Sequence, residues 1–236
     1  MTGKVTVIQH NESVPLDRYG TWLADAGVDI QLVKPFDGDA VPTAAEVTGG
    51  LLVLGGTWTA YSDADAPWLP ATRQLLADAV DANVPTLAIC LGHQLLAAAL
   101  GGEIVVASPE RELGLYQLSF AKEAEVDPVL GPAIDAARVV GSAWVIEAHN
   151  DAVSVLPRAV APLASTSTHA NQAFRVGSAL GIQFHPEASP ELVRQWAERD
   201  ESLDAAAVEA GVRELDPAIA AFGAALLAGF VDQIRN

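Results

Sequence analysis

Short apolar runs alternate with helix-patterned segments through the first hundred residues, and this alternation constrains the fold more than any other feature. The runs are residues 4–9 (KVTVIQ), 28–33 (VDIQLV), 51–54 (LLVL) and 86–90 (TLAIC). Each is short enough to be a strand, and apolar side chains on both parities suit a strand covered on both faces. Residues 15–26 read as a helix closed by Gly27. A loop marked by Pro35, Asp37-Gly38 and Pro42 follows the second run. Residues 67–83 carry helical spacing, with Leu69, Leu75, Leu76, Ala79 and Val80 on the apolar side. Residues 92–100 read as a third helix, stopped by Gly101-Gly102. Strands alternating with helices imply a parallel sheet covered on both faces.

The pattern changes after residue 102. Extended pieces are expected at 104–107, 115–120, 144–147, 173–176 and 180–184, as an antiparallel or mixed extension of the sheet. Helices are expected at 190–198 and 203–215. A final helix is expected to open at Asp216-Pro217, an N-cap followed by proline at the first helical position. Ile219, Phe222, Leu226, Phe230 and Ile234 fall three or four apart and form one packing face, directed at the same domain or at another copy in a homo-oligomer.

Half of the 236 residues are apolar, enough for a sizeable core. The net charge of −17 repels phosphate backbones and anionic lipid, so neither nucleic acid nor membrane is an expected partner. The apolar run 217–231 is shorter than the roughly 20 residues a membrane span needs. The start of the chain has no secretory pattern: the run 5–8 is followed at once by polar residues. A cytoplasmic, reducing location is therefore expected. The single cysteine, Cys90, rules out an internal disulfide and a thiolate zinc cluster.

Cys90 sits where an apolar strand turns into a helix. A nucleophile on such a turn is exposed above the sheet edge, and its neighbours two residues away must be small; Ala88 and Gly92 are. The helix start adds unpaired N–H groups and a positive dipole end, which favour a thiolate. Taken alone, the segment also suits a buried structural cysteine or a redox-sensing thiol. A second segment, His185-Pro186-Glu187, follows an extended apolar run. Pro186 keeps His185 out of the helical region, and residues two apart in extended chain point to one side. Glu187 can therefore orient the His185 ring, as the third member of a nucleophile–base–orienter relay. Alone, this segment also suits a surface turn with an incidental ion pair.

Together, Ala-Ile-Cys90-Leu-Gly-His-Gln94 and Gly-Ile-Gln-Phe-His185-Pro-Glu187 resemble the two signature motifs of the class I (triad-type) glutamine amidotransferases, in order and in their separation of 95 residues. Leu51-Leu-Val-Leu-Gly-Gly56 lies where that family has its glycine-rich oxyanion strand. Pro67-Trp68-Leu69, His149-Asn-Asp151 and Leu156-Pro157 are similar to segments of stand-alone members related to the glutaminase half of GMP synthase. The likeness covers about residues 4–200 of a single domain 1–236, with 200–236 as a C-terminal helical extension. It implies a flavodoxin-like three-layer α/β sandwich, with a mostly parallel central sheet and an antiparallel extension. It implies Cys90, His185 and Glu187 as a catalytic triad forming a γ-glutamyl thioester, with the oxyanion held by backbone N–H groups of Gly56 and Leu91. It places Gln94 beside the substrate, with the backbone of His149, Asn150 and Asp151 at its α-amino and carboxylate ends.

The resemblance implies hydrolysis of glutamine to glutamate and ammonia, and a partner in the form of a separate synthase subunit. The alternatives are a γ-glutamyl peptidase acting alone and a non-catalytic binding or regulatory module that retains the fold. Four positions depart from the family pattern. Ala88 and Thr57 stand where glycine and proline are usual. Ala148-His-Asn-Asp151 stands where synthase relatives have Ser-His-Gly-Asp; Asn150 is expected to accept a left-handed backbone there.

His93 is expected to support the turn. His149 lacks an adjacent carboxylate to mark it as the base, and His10 and His169 are expected to be solvated in loops. Trp58, Tyr61, Trp68, Trp144 and Trp196 are expected to serve packing. No metal-ligand spacing and no Gly-x-x-x-x-Gly-Lys phosphate loop occurs, so neither a metal nor any other cofactor is expected.

Overall fold

The computed structural model describes residues 3–141 and 143–235. The first half follows the expected alternation: β1 (Lys4–Ile8), α1 (Arg18–Asp25), β2 (Asp29–Val33), β3 (Gly50–Val53), α2 (Leu69–Asp81), β4 (Thr86–Ile89) and α3 (Leu91–Ala99). The second half adds β5 (Glu103–Val105), β6 (Glu112–Gln117), β7 (Ser119–Phe120), α4 (Leu130–Val140), β8 (Trp144–His149), β9 (Ala152–Val155) and β10 (Pro162–Ser165). β11 (Ala173–Val176), β12 (Ala179–Ile182), α5 (Pro190–Ala197) and α6 (Ala205–Arg235) complete the described chain.

The central sheet has eight strands in the order β2-β1-β3-β4-β12-β11-β10-β7. From β2 to β12 every neighbouring pair is parallel, and the last three pairings are antiparallel. The parallel part has the doubly wound flavodoxin-like order. Helices cover both faces because the strands carry apolar side chains on both. Leu52, Leu87 and Ile89 face a core shared with α1, α4 and α6. Leu51, Val53 and Ala88, of opposite parity, face α2 and α3. In such a sheet ligands bind beyond the carboxyl ends of the strands, and β1, β3, β4 and β12 all end on that edge.

The antiparallel extension is narrower than expected. β11, β10 and β7 join the sheet, but the pieces around 104–107 and 144–147 do not. β5 pairs with β9, and β6 with β8, in two separate two-stranded ribbons. The expected strand 115–120 is split at Leu118 between β6 and β7. α4 interrupts the expected succession of extended pieces. Its start is held by the Asp127 carboxylate, which accepts from the N–H groups of Val129 and Leu130 at 2.9 Å each.

The last two expected helices are one. α6 runs 31 residues with Pro217 inside it, so Asp216 is not an N-cap. Its carboxylate binds Arg18 at 2.5 Å instead. Pro217 removes one internal hydrogen bond, but packing on both sides of it keeps the axis continuous: Val212 and Ile219 are buried in one cluster with Leu192 and Trp196 of α5. By length and composition α6 could cross a membrane, unlike the shorter run expected from the sequence. Its apolar face is occupied within the chain, where Phe222, Leu226 and Phe230 are buried against the sheet and α4.

Candidate active site

Cys90 lies between β4 and α3 with φ 51° and ψ −106°, a strained conformation for a residue with a side chain. Its N–H donates to the Ile182 carbonyl at 2.8 Å, and its carbonyl accepts from the Gln94 N–H at 3.0 Å. The turn is pinned from both sides. Gly92 is required by the crowding: a Cβ there would sit 2.4 Å from the Val53 carbonyl oxygen. Gly92→Ala is therefore expected to cost about 1–3 kcal/mol of stability, read as a lower denaturant midpoint.

His185 follows β12. Its N–H donates to the Ile146 carbonyl at 2.8 Å, tying it to β8. Its Nδ1 lies 2.7 Å from Glu187 Oε1, and both side chains are buried. The ring reaches Cys90 over Gly55: a Cβ on that glycine would meet His185 Cε1 at 3.0 Å and Cys90 Cβ at 3.3 Å. Burial disfavours a charged ring, but the Glu187 carboxylate and the hydrogen-bonded Cys90 outweigh it and hold the imidazole well above its ordinary value. Trp196 of α5 packs on the same ring, centroid to centroid 4.7 Å.

Cys90 and His185 open onto a cavity of about 660 Å³. Gly56, Gln94, His149, Asn150 and Asp151 also line it. Leu91, the first residue of α3, is buried and outside that lining, although its side chain abuts Gly56. Gln94 Nε2 donates to the Asp151 carbonyl at 2.9 Å and to Gln183 Oε1 at 3.2 Å. Asp151 Oδ1 accepts from the Ala107 N–H at 2.9 Å, and the Asn150 carbonyl from the Ser108 N–H at 2.8 Å. The left-handed residue in this region is Ala107, φ 50°; Asn150 is not among the described residues with positive φ.

His149 departs most from expectation. Glu112 lies 2.9 Å and Glu147 3.4 Å from its Nε2. Burial would drive the ring neutral, yet these two carboxylates push it up to about 10. Burial likewise opposes ionisation of Glu112, but hydrogen bonds from His149, Thr166 and Thr168 prevail and hold it at about 2. The Glu112 partner is cross-strand and 37 residues away, with no local signal. Glu147 is two residues from His149 on a strand, a spacing that could have revealed it.

Glu112, His149 and His169 also offer ligand atoms within 4.8 Å of one another, a grouping that sequence spacing did not show. Each is already engaged. Glu112 accepts from Thr166, Thr168 and Gln172, His149 is bonded through both nitrogens, and His169 Nε2 donates to the Glu110 carbonyl at 2.5 Å. This fits a closed hydrogen-bond network. His169 is thus half-buried rather than solvated.

His10 is fully buried and accepts from Trp68 Nε1 at 3.1 Å; burial lowers it to about 3. Trp58 and Trp196 line the cavity as well as pack. His93 is buried on α3, with Nε2 3.1 Å from the Asn171 carbonyl and its ring centroid 4.9 Å from that of Phe174.

Residues 21–201 match the family model described as "Glutamine amidotransferase class-I". A glutamine-hydrolyzing GMP synthase subunit of Sulfolobus acidocaldarius is 41% identical over 107 residues, covering 44% of this chain and 52% of the relative. "Gamma-glutamyl peptidase 4" of Arabidopsis thaliana is 30% identical over 145 residues, covering 61% and 55%. The chain thus spans about half the length of these curated relatives. A glutamine amidotransferase structure from Thermotoga maritima superposes with a TM-score of 0.85 at 22% identity, covering 98% of this chain and 99% of that one, which establishes the shared fold. By the family match and the flavodoxin-like architecture together, this chain belongs to the class I glutamine amidotransferase family.

Proposed function

We propose that the chain hydrolyses the γ-amide of glutamine to glutamate and ammonia through a thioester on Cys90. The observation that carries this reading is the meeting of Cys90 with His185, itself bonded to Glu187 at 2.7 Å, beside a cavity. The Cys90 proton passes to His185, and the sulfur attacks the γ-carbonyl carbon. The carbonyl electrons move onto oxygen, held by the N–H groups assigned here to Gly56 and Leu91; such donors are worth roughly 3 kcal/mol each. As the oxyanion collapses the carbon–nitrogen bond breaks, and the His185 proton leaves with the nitrogen as ammonia. Water then adds to the thioester and gives its proton to His185. The carbon–sulfur bond breaks, the departing sulfur takes back the proton from His185, and glutamate leaves.

Gln94 and the backbone of residues 149–151 are assigned to the amino-acid end of the substrate. The ammonia is passed to a separate synthase subunit; the relative that is one subunit of GMP synthase supports this. A reducing, cytoplasmic setting suits the single thiol.

The cavity favours a second reading. At about 660 Å³ it is in the range of pockets that enclose drug-sized ligands, roughly 300–1,000 Å³. Arg111, Arg199, Trp58 and Trp196 line it. A γ-glutamyl peptide or amine would fill it, with no change in the chemistry.

One experiment tests both readings. The pure protein is incubated with glutamine and with a panel of γ-glutamyl peptides and amines. Ammonia, released amine, glutamate and any covalent adduct on Cys90 are then quantified, the adduct by mass spectrometry. A preference for free glutamine by orders of magnitude removes the peptidase reading. No turnover and no adduct with any substrate, alone or with a synthase partner, removes both.

A further inference from the structure

Asp17 occupies the N-cap position of α1, directly before Arg18, and aspartate is a favoured residue there. Its carboxylate does not cap that helix: no hydrogen bond joins it to the N–H groups of α1. Its backbone lies at φ 44° and ψ −121°, close to the values at Cys90. Glycine supplies this conformation in tight turns, and it strains any residue with a Cβ. Asp17 therefore forgoes a cap and bears strain, with no gain inside its own helix.

The gain lies on the segment that carries Glu187. Asp17 Oδ2 accepts from the Ser189 N–H at 2.6 Å. The Arg18 N–H has no partner within α1, because it opens the helix; it donates to the Glu187 carbonyl at 3.3 Å. Two consecutive residues thus hold the chain on either side of Ala188. From the other side α6 closes on Pro186: a Cβ on Gly223 would lie 2.3 Å from the Pro186 carbonyl oxygen. Arg18 also ties α1 to α6 through Asp216 at 2.5 Å. The Glu187 carboxylate has no comparable hold of its own. Oε1 meets His185 Nδ1 at 2.7 Å, and Oε2 has no hydrogen-bond partner among the described residues. Its placement must come from the backbone.

We infer that Asp17 is a positioning residue for Glu187: its bent backbone and its bond to Ser189 fix where residues 187–189 run, and so where the carboxylate meets the His185 ring. The inference rests on the reading that Glu187 orients His185 as the base for Cys90. A second route from Asp17 to the ring passes through α5. Ser189 caps that helix by accepting from the Leu192 N–H at 3.2 Å, and Trp196 of α5 packs on His185.

The two routes are separated by comparing the full chain with Asp17→Gly, Asp17→Asn and Ser189→Ala. Glycine suits the bent backbone but removes the carboxylate; asparagine keeps an oxygen that accepts from the Ser189 N–H. kcat and KM are measured with glutamine and a γ-glutamyl dipeptide, alongside iodoacetamide alkylation of Cys90, well below each melting temperature. Asp17→Gly is expected to fold and to lower kcat about 10-fold or more with KM unchanged, since a misplacement of about 1 Å costs on the order of 100-fold. Asp17→Asn should keep most of the wild-type rate. In a Glu187→Ala background Asp17→Gly should have little further effect, because the carboxylate it places is gone. Ser189→Ala loses the α5 cap but keeps its N–H, so it should lower the melting temperature and spare kcat. A folded Asp17→Gly with the wild-type kcat overturns the proposal and leaves the triad reading intact. So does a loss that persists in full without Glu187, or one that Ser189→Ala reproduces, since either runs through α5. A wild type that hydrolyses no γ-glutamyl compound overturns the catalytic reading, and alkylation then decides the positioning. Slower alkylation in Asp17→Gly but not in Asp17→Asn upholds it, and equal rates in all three proteins overturn it.

Discussion

Cys90→Ser is expected to lower γ-glutamyl turnover by at least about 10⁴-fold, measured as ammonia or amine release by the pure protein. The substitution keeps the fold of the turn, since serine is close in size and the strained backbone is pinned by Ile182 and Gln94 rather than by the side chain. What changes is the ease of losing a proton. His185 is held by Glu187 and Cys90 well above its usual value, so it readily keeps a proton taken from a thiol. A hydroxyl is far less acidic than a thiol, and the gap exceeds what the imidazole can bridge. No adduct should form on residue 90 when the variant is mixed with substrate and followed by mass spectrometry. Wild-type turnover in Cys90→Ser would remove the thioester from the mechanism.

The first half of the fold is legible because parallel strands buried on both faces write themselves as apolar runs. Residues 51–54 and 87–89 place successive side chains in two different cores, and no polar alternation blurs them. The second half depends on contacts that no window contains. β6 and β8 pair residues 27 to 37 apart in the chain, so their ribbon could not be told from another rung of the main sheet. The α4 signal, by contrast, is present in the chain: Asp127 as cap, Leu130, Ala133, Ile134 and Ala137 at helical spacing, and Gly141 with φ 89° as the stop. Its valines and the strands around it mask that pattern. At Asp216-Pro217 a sound local rule gives the wrong boundary, because α6 gains more from continuous burial on either side of Pro217 than it loses with one hydrogen bond.

The site is legible where its parts are local. Cys90 stands on its own turn, and His185 and Glu187 are two residues apart on extended chain. The rest comes from distant elements meeting at the carboxyl edge. Trp196 reaches the His185 ring from α5, and His10 reaches Gly56 from the end of β1. Glu112 becomes a partner of His149 only through the β6–β8 register. Solvated loop histidines and a deeply buried charge network look alike in a linear chain, since what separates them is the desolvation that folding imposes.

Glu187→Gln separates an orienting carboxylate from a structural one. Glu187 Oε1 holds His185 Nδ1 at 2.7 Å, while Oε2 is buried without a hydrogen-bond partner among the described residues. A glutamine can offer its carbonyl to Nδ1 and keep the ring in place, but its amide nitrogen then occupies an unpaired buried position, and the negative charge is gone. Turned the other way, the amide donates to Nδ1 and forces the proton onto Nε2, which must be free to take the proton from Cys90. Either arrangement weakens His185 as a base, and the second inverts its tautomer. Loss of this kind in an acid–base relay is worth about 10²–10⁴-fold. Turnover is expected to fall by that amount while substrate affinity, measured on a Cys90→Ala background to block chemistry, changes little. The alkaline limb of the pH profile should also move to lower pH, because an imidazolium that has lost its carboxylate gives up its proton sooner. If kcat and the pH profile of Glu187→Gln match the wild type, Glu187 only fills space behind the ring, and His185 must be oriented by its N–H bond to Ile146 and by the Trp196 face.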